Sequence, residues 1–170
     1  MYFNDSSAPS WSSVMVTRHL PAELAGLERL CKNLWWCWND NAKALFKTVD
    51  ADLWHKSGHN PMEILDKVSL KRYNVLAKDQ SFLNDLASVM REFDSYMEMK
   101  KERTSPSIGY FCMEYGLDTS LKIYSGGLGI LAGDYLKESS DMNVNLVAVG
   151  LFYRYGYFTQ RMTPQGNQVA

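Results

Sequence analysis

From Pro21 onward, apolar residues recur at Leu24, Leu27, Leu30, Cys31, Leu34, Trp35 and Trp38. They fall three and four apart, the spacing that gathers side chains on one face of an α-helix. Pro21 suits a first-turn position, where its missing N–H costs nothing, so the pattern predicts one helix from Pro21 to Trp38. Asn39-Asp-Asn41 breaks and recaps the chain, and Ala42, Leu45, Phe46 and Val49 predict a second, short helix. Asp50-Ala-Asp52 starts another turn through Leu53 and Trp54, which ends at Gly58-His-Asn-Pro61. Pro61 opens a helix over Met62 to Val68, followed by Ser69 to Lys78 and a longer one, Ser81 to Lys100, whose Phe82, Leu83, Leu86, Val89, Met90, Phe93 and Met97 form a broad apolar stripe. Residues 1 to 20 read as an irregular lead, with turn residues at Asn4 to Pro9 and a short extended piece at Val14 to Val16.

The pattern changes after Lys100-Lys-Glu-Arg-Thr-Ser-Pro-Ser107, a charged, proline-containing boundary. Ile108 to Met113 is short and rich in β-formers. A glycine loop and a helix to about Met142 follow, and Leu146 to Tyr153 reads as a second buried strand, making one βαβ-like unit. Thr163-Pro-Gln-Gly-Asn167 is a hairpin turn between Tyr155 to Met162 and Gln168 to Ala170. The expected division is a lead at 1–20, a helical region at 21–103 and an α/β region at 104–170. Two strands and one crossover helix leave a parallel sheet with open edges, so a fragment of a longer polypeptide is expected.

Composition narrows this picture. The chain has 170 residues, 46% of them apolar and 13% aromatic, enough for a substantial core. A formal net charge of −1 gives none of the basic field of a nucleic-acid or membrane-surface binder. Cys31, Cys37 and Cys112 are odd in number and lack Cys-x-x-Cys spacing, which argues against a disulfide framework and a zinc site and fits a reducing cytoplasm. The polar, Ser-rich N-terminus has no signal-peptide pattern, and no apolar run approaches the roughly 20 residues of a spanning helix.

The densest chemical signal is Tyr124-Ser-Gly-Gly-Leu-Gly-Ile-Leu-Ala-Gly-Asp134, entered from Ile108-Gly-Tyr-Phe-Cys-Met-Glu-Tyr115. Glycines at 126, 127 and 129 ahead of an apolar, helix-compatible run make a loop whose backbone N–H groups can face an anion at a helix N-terminus. The same glycines could instead serve a tight turn that lets the helix pack closely on a strand.

These words, with Tyr153-Arg-Tyr-Gly-Tyr-Phe158, resemble the opening of the catalytic region of the bacterial α-glucan (glycogen, starch, maltodextrin) phosphorylases. Asn33-Leu-Trp-Trp-Cys-Trp-Asn39 and Leu53-Trp-His-Lys-Ser-Gly-His-Asn-Pro61 resemble the helical N-terminal extension of those enzymes, so the likeness covers nearly everything after Leu20. It implies an α/β fold class: a helical N-terminal region followed by the start of a Rossmann-like glycosyltransferase-B domain, incomplete in this chain. It implies reversible phosphorolysis of α-1,4-glucan by orthophosphate to glucose 1-phosphate, with pyridoxal phosphate as cofactor and the rest of the polypeptide as partner. The family commonly forms homodimers.

Carried over by position, Gly126, Gly127 and Leu128 would offer amides to anionic oxygens and the glucosyl unit, with Gly127 near the cofactor phosphate. Glu114 and Tyr115 would sit at the same site, after the first strand, where sites collect in open α/β sheets; for Glu114 a loop or capping carboxylate is an equal alternative. Ser125 stands where animal and plant enzymes usually carry Asn. The cofactor lysine of the family lies in a Gly-Thr-Ser/Gly-x-Met-Lys type motif, and none of Lys32, Lys43, Lys47, Lys122 or Lys137 has that context. Catalytic residues proper are expected beyond Ala170, and the chain by itself is expected to be inactive. A glycogen or starch synthase-type sugar-nucleotide transferase also carries Gly-Gly-Leu-Gly, typically after Lys-Thr rather than Tyr124-Ser125; a non-catalytic helical docking module is the other alternative.

The remaining clusters each have a structural reading. Tyr153 to Phe158 with Gln160 could line a sugar cleft, although such a cluster is more often core. Asp134 and Lys137 are placed early in the helix after the loop, where Asp134 would favour the dipole. Trp35, Trp36, Trp38 and Trp54 are expected to fill a core or dock one helical layer on another rather than bind sugar. His55 and His59 share helical spacing, but Gly58 and Pro61 break that helix, which argues against a metal site.

Overall fold

A computed structural model describes residues 20–99, 108–153, 155–156 and 160–169. The extended piece at 14–16, the division at 103/104, the last turn of the long helix at 100 and residues 154 and 157–159 of the aromatic run lie outside the described residues.

The helical part comprises α1 (Ala25–Cys31), α2 (Asp40–Val49), α3 (Ala51–Lys56), α4 (Pro61–Lys67), α5 (Leu70–Leu76) and α6 (Gln80–Glu98). Each helix from α2 to α6 begins on an Asn, Asp or Ser (Asn39, Asp50, Asn60, Ser69, Asp79) whose side-chain oxygen accepts from first-turn amides that would otherwise lack a partner. These polar residues set the length of each helix. The apolar faces between them meet in one core in which Leu24, Leu27, Leu30, Phe46, Ile64 and Leu76 are all but inaccessible to water. Arg72 of α5 closes the C-terminal end of α2, its Nε donating to the Val49 carbonyl at 2.9 Å and its Nη2 to that of Thr48 at 2.6 Å.

One helix from Pro21 to Trp38 does not form. The segment is a 3₁₀ turn over Ala22–Leu24, α1, and a second 3₁₀ turn over Leu34–Trp38. Asn33 makes the break: its backbone is extended (φ −120°, ψ 126°) and its side chain accepts from the Trp35 amide at 2.9 Å, ending one helix and starting the next turn. The tighter winding sends Trp35 onto Phe93 and Tyr96 of α6, at centroid distances of 5.4 and 5.8 Å, and Trp36 onto Phe46 and Trp54, at 6.1 and 6.4 Å. Trp35, Trp36 and Trp54 are thus core residues.

The α/β part consists of β1 (Ile108–Phe111), α7 (Gly127–Asp141) and β2 (Leu146–Val149), with a small hairpin of β3 (Arg161–Met162) and β4 (Gln168–Val169). β1 and β2 pair in parallel, from Ile108 opposite Leu146 to Phe111 opposite Val149. α7 is the crossover between them, which brings its N-terminus to the carboxyl end of the strands. The hairpin turns at Gly166, whose φ of +81° is the left-handed conformation that favours glycine. Parallel sheets are normally covered on both faces, yet within this chain Phe111 is 75% exposed and Phe152 81%. Tyr153 and Tyr155 are exposed as well, so the part of the aromatic run that is described is not core. No other described element covers those positions.

The two parts meet along α7. At its C-terminal end Asp141 Oδ1 accepts from Trp38 Nε1 at 3.1 Å and from the Tyr96 hydroxyl at 2.8 Å, and that hydroxyl lies 2.6 Å from Ser140 Oγ. Just beyond, Asn143 donates its side-chain amide to the Met99 carbonyl at 2.9 Å. An anion opposes the dipole at a helix C-terminus; two donors from the helical part offset that penalty at Asp141.

Candidate functional site

The loop between β1 and α7 is tied down from several sides. The buried Tyr115 hydroxyl sits 2.7 Å from the Tyr110 carbonyl and 3.2 Å from that of Val149, linking the loop to the ends of both strands. Burial raises its pKa above the ordinary tyrosine value, which keeps the hydroxyl a donor. Glu114 holds the glycine segment: its Oε2 accepts from the Ser125 amide at 3.3 Å and its Oε1 from the Ser125 hydroxyl at 3.2 Å. The Gly116 amide donates to the Gly129 carbonyl at 2.7 Å, and Cys37 Sγ donates to the Leu117 carbonyl at 3.4 Å.

The glycines of the loop divide into two kinds. A Cβ on Gly129 would lie 2.5 Å from Tyr124 Cβ and 3.0 Å from Glu114 Oε2, and one on Gly133 would lie 2.3 Å from the Gly116 carbonyl oxygen. These two glycines allow α7 to press against the 114–116 loop. At Gly126 and Gly127, by contrast, an added Cβ would meet nothing within 4 Å. Close packing within this chain therefore does not account for them.

Gly126 is the residue before the first helical position, with an extended backbone and no side chain to accept from the helix's own amides. Among the described residues, the amides of Gly126, Gly127 and Leu128 have no protein acceptor, whereas Ile130 N already donates to the Gly126 carbonyl at 3.2 Å. Leu128 is exposed, and the first turn carries no acidic side chain. The result is a set of unpaired donors at the positive end of a 15-residue helix, with open space on the Cβ side of Gly126 and Gly127. Such an arrangement can bind oxygens of a phosphate or a sugar through the main chain, without a titrating side chain.

Of the residues singled out from sequence, Gly126, Gly127 and Leu128 lie together at the helix start, and Glu114 and Tyr115 lie behind them with protein partners of their own. Asp134 is two turns inside α7, too far from its N-terminus for the dipole to act; it stands 4.0 Å from Lys137 Nζ across one helix turn. His59 stacks on Trp54 at 4.8 Å and meets His55 edge-on at 5.8 Å. No group of three or more His, Cys, Asp or Glu side chains among the described residues is arranged to hold a metal ion. No described helix is long and apolar enough to cross a membrane.

Sequence reading did not single out a cavity of about 490 Å³ between α2, α3 and the loop after β1, lined in part by Trp36, Lys43, Lys47, Trp54, His59 and Asp118. Its signal would have been the pairing of two distant segments, which no local pattern carries.

A family model described as "Protein of unknown function (DUF3417)" matches residues 20–121. The chain is similar to a protein named glycogen phosphorylase from Mycobacterium tuberculosis (strain ATCC 25618 / H37Rv), with 40% identity over 165 residues, covering 90% of this chain and 19% of that protein. It is similar to one named maltodextrin phosphorylase from Thermococcus litoralis, with 40% identity over 157 residues, covering 88% and 19%. To a protein named glycogen phosphorylase from Aquifex aeolicus it is 43% identical over 146 residues, covering 84% and 21%. The chain thus spans about a fifth of the length of the curated relatives it matches. No solved structure matches it at a significant level.

Proposed function

The chain belongs to the family described as "Protein of unknown function (DUF3417)", and from that premise we propose that it is the N-terminal part of an α-glucan phosphorylase. In this reading, residues 21–103 form the helical extension and residues 104–170 begin a glycosyltransferase-B domain, whose further strands and helices cover the exposed faces of β1, β2 and α7. The reaction is reversible phosphorolysis of an α-1,4-glucan, with orthophosphate as acceptor and glucose 1-phosphate as product. The compartment is the cytoplasm, and the assembly is a homodimer.

The observation that carries the reading is the open, unpaired row of amides at Gly126, Gly127 and Leu128. Its role is to hold oxygens of a phosphate and of the bound glucosyl unit as negative charge shifts during bond cleavage. Fixed main-chain donors suit that task because they need no proton of their own and no reorganisation. Glu114 fixes the loop through Ser125 at the edge of the same site, and Tyr115 fixes its base.

The space that a Cβ would occupy at Gly126 and Gly127 is where a phosphate could approach the main chain. Residues 126 and 127 fit a contact with the phosphate of pyridoxal phosphate, which when bound would supply an acid–base group for proton exchange with the substrate phosphate. The lysine that anchors the cofactor is not one of those in this chain.

The test is to incubate the whole polypeptide with maltooligosaccharide and orthophosphate and to measure glucose 1-phosphate. Phosphate-dependent release by the whole protein, with none from residues 1–170 alone, supports the reading. Glucan extension from a sugar nucleotide without phosphorolysis would replace it with a synthase, and neither activity would leave a docking module.

A further inference from the structure

The 3₁₀ turn Leu34–Trp38 faces two ways. Trp35 and Trp36 are buried in the helical core against Phe93, Tyr96, Phe46 and Trp54. The next two residues carry contacts outward from it: Cys37, itself buried in that core, reaches the Leu117 carbonyl through its Sγ, and half-buried Trp38, packed against the core, reaches Asp141 through its Nε1. These contacts support opposite ends of α7. Asp141 is its last residue, where Tyr96 of α6 adds its hydroxyl. Leu117 adjoins Gly116, whose amide donates to the Gly129 carbonyl in the first turn, and whose oxygen limits the space at Gly133. Two adjacent side chains, rooted by two buried tryptophans, thus set where both ends of one helix lie.

We propose that this turn and Tyr96 form a clamp that positions α7, so that Trp38 and Tyr96 are positioning residues for the amides of Gly126 to Leu128, which they do not touch. A 15-residue helix is stiff on the scale of a single hydrogen bond, and a displacement at Asp141 is carried to its first turn. The clamp itself is independent of what the amides bind; its effect on phosphate rests on the phosphorylase reading above.

The decisive variants are Tyr96→Phe and Trp38→Phe, singly and together, in the full-length protein. Each keeps an aromatic ring and removes one donor to Asp141. In the double variant, hydrogen exchange at the paired amides around the glycine loop, those of Gly116, Ser125 and Ile130, should accelerate about fivefold or more, and the KM for orthophosphate should rise by a similar factor while the KM for glucan stays within about twofold. Acceleration confined to 138–143 with an unchanged phosphate KM would overturn the proposal. So would equal weakening for both substrates with loss of helical content, which marks a general structural role. If the wild-type protein releases no glucose 1-phosphate, the phosphorylase reading fails and the exchange pattern still decides the clamp.

Discussion

At the residue scale, the glycine loop separates packing from binding in a way that substitution can resolve. Gly133→Ala would drive a Cβ to 2.3 Å from the Gly116 carbonyl oxygen, main chain that cannot rotate away. The expected cost is about 1–3 kcal/mol in urea-induced unfolding, the usual penalty for overpacking. Gly127→Ala meets nothing within 4 Å, and its gain in helix propensity should leave stability unchanged or raise it by up to about 1 kcal/mol. In the full-length protein that same alanine should weaken phosphate binding, read as a raised KM. Equal destabilisation by both alanines would contradict the division. The cysteines give a second residue-level expectation. Burial pushes the thiols of Cys31 and Cys37 up from an ordinary 9.0 to about 11, whereas Cys112 is partly exposed. Iodoacetamide should therefore modify Cys112 first in the folded protein, as mass spectrometry of its peptides would reveal. An unfolded chain releases the Cys31 and Cys37 protons near 9.0 and the folded one holds them to about 11, so their contribution to stability is intact below that window and declines as pH rises through it.

At the scale of elements, the helices are defined more by their first residues than by their interiors. Asp79 accepts from the amides of Ser81 at 3.0 Å and Phe82 at 3.2 Å at the start of α6. Asp79→Ala should cost about 1 kcal/mol in thermal or denaturant unfolding, and Asp79→Asn much less, because the oxygen is retained. Capping residues of this kind, with the apolar stripes between them, made α2 to α6 and their approximate ends readable from sequence. The break at Asn33 was not, because Leu34, Trp35 and Trp38 continue the helical spacing, and over five residues a 3₁₀ winding gives nearly the same apolar pattern as an α-helix. The short strands and crossover helix were visible as a change of pattern after the charged stretch, but the strand expected to run buried from Leu146 to Tyr153 ends at Val149 and is largely exposed, because no described element covers it. Which glycine served which purpose was not visible, since the crowding at Gly129 comes from Tyr124 and Glu114 and that at Gly133 from Gly116, approaches set by how the loop folds back on the helix. Likewise Trp38 shared its spacing with core tryptophans, and its bond to Asp141 spans 103 positions of sequence.

At the scale of the whole molecule, the two parts are unequally self-sufficient. The helical part closes over its own core, while β1, β2 and α7 leave their own Phe111, Val147 and Leu131 exposed, and Phe152 just after β2 is exposed as well. In native-state hydrogen exchange, amides of α1, α2 and α6 should be the slowest, and those of β1 and β2 should exchange earlier, by opening that does not unfold the helices. A single cooperative exchange rate across both parts would contradict this. The joint between them also has an optical consequence. Among the described residues Trp35, Trp36 and Trp54 are buried, whereas Trp38 is half-buried with its indole N–H on a carboxylate. If the two parts separate, Trp38 is the indole whose surroundings change most, so its emission should move to longer wavelength while the buried three keep theirs. The joint thus carries its own fluorophore, and its opening could be timed without attaching a dye.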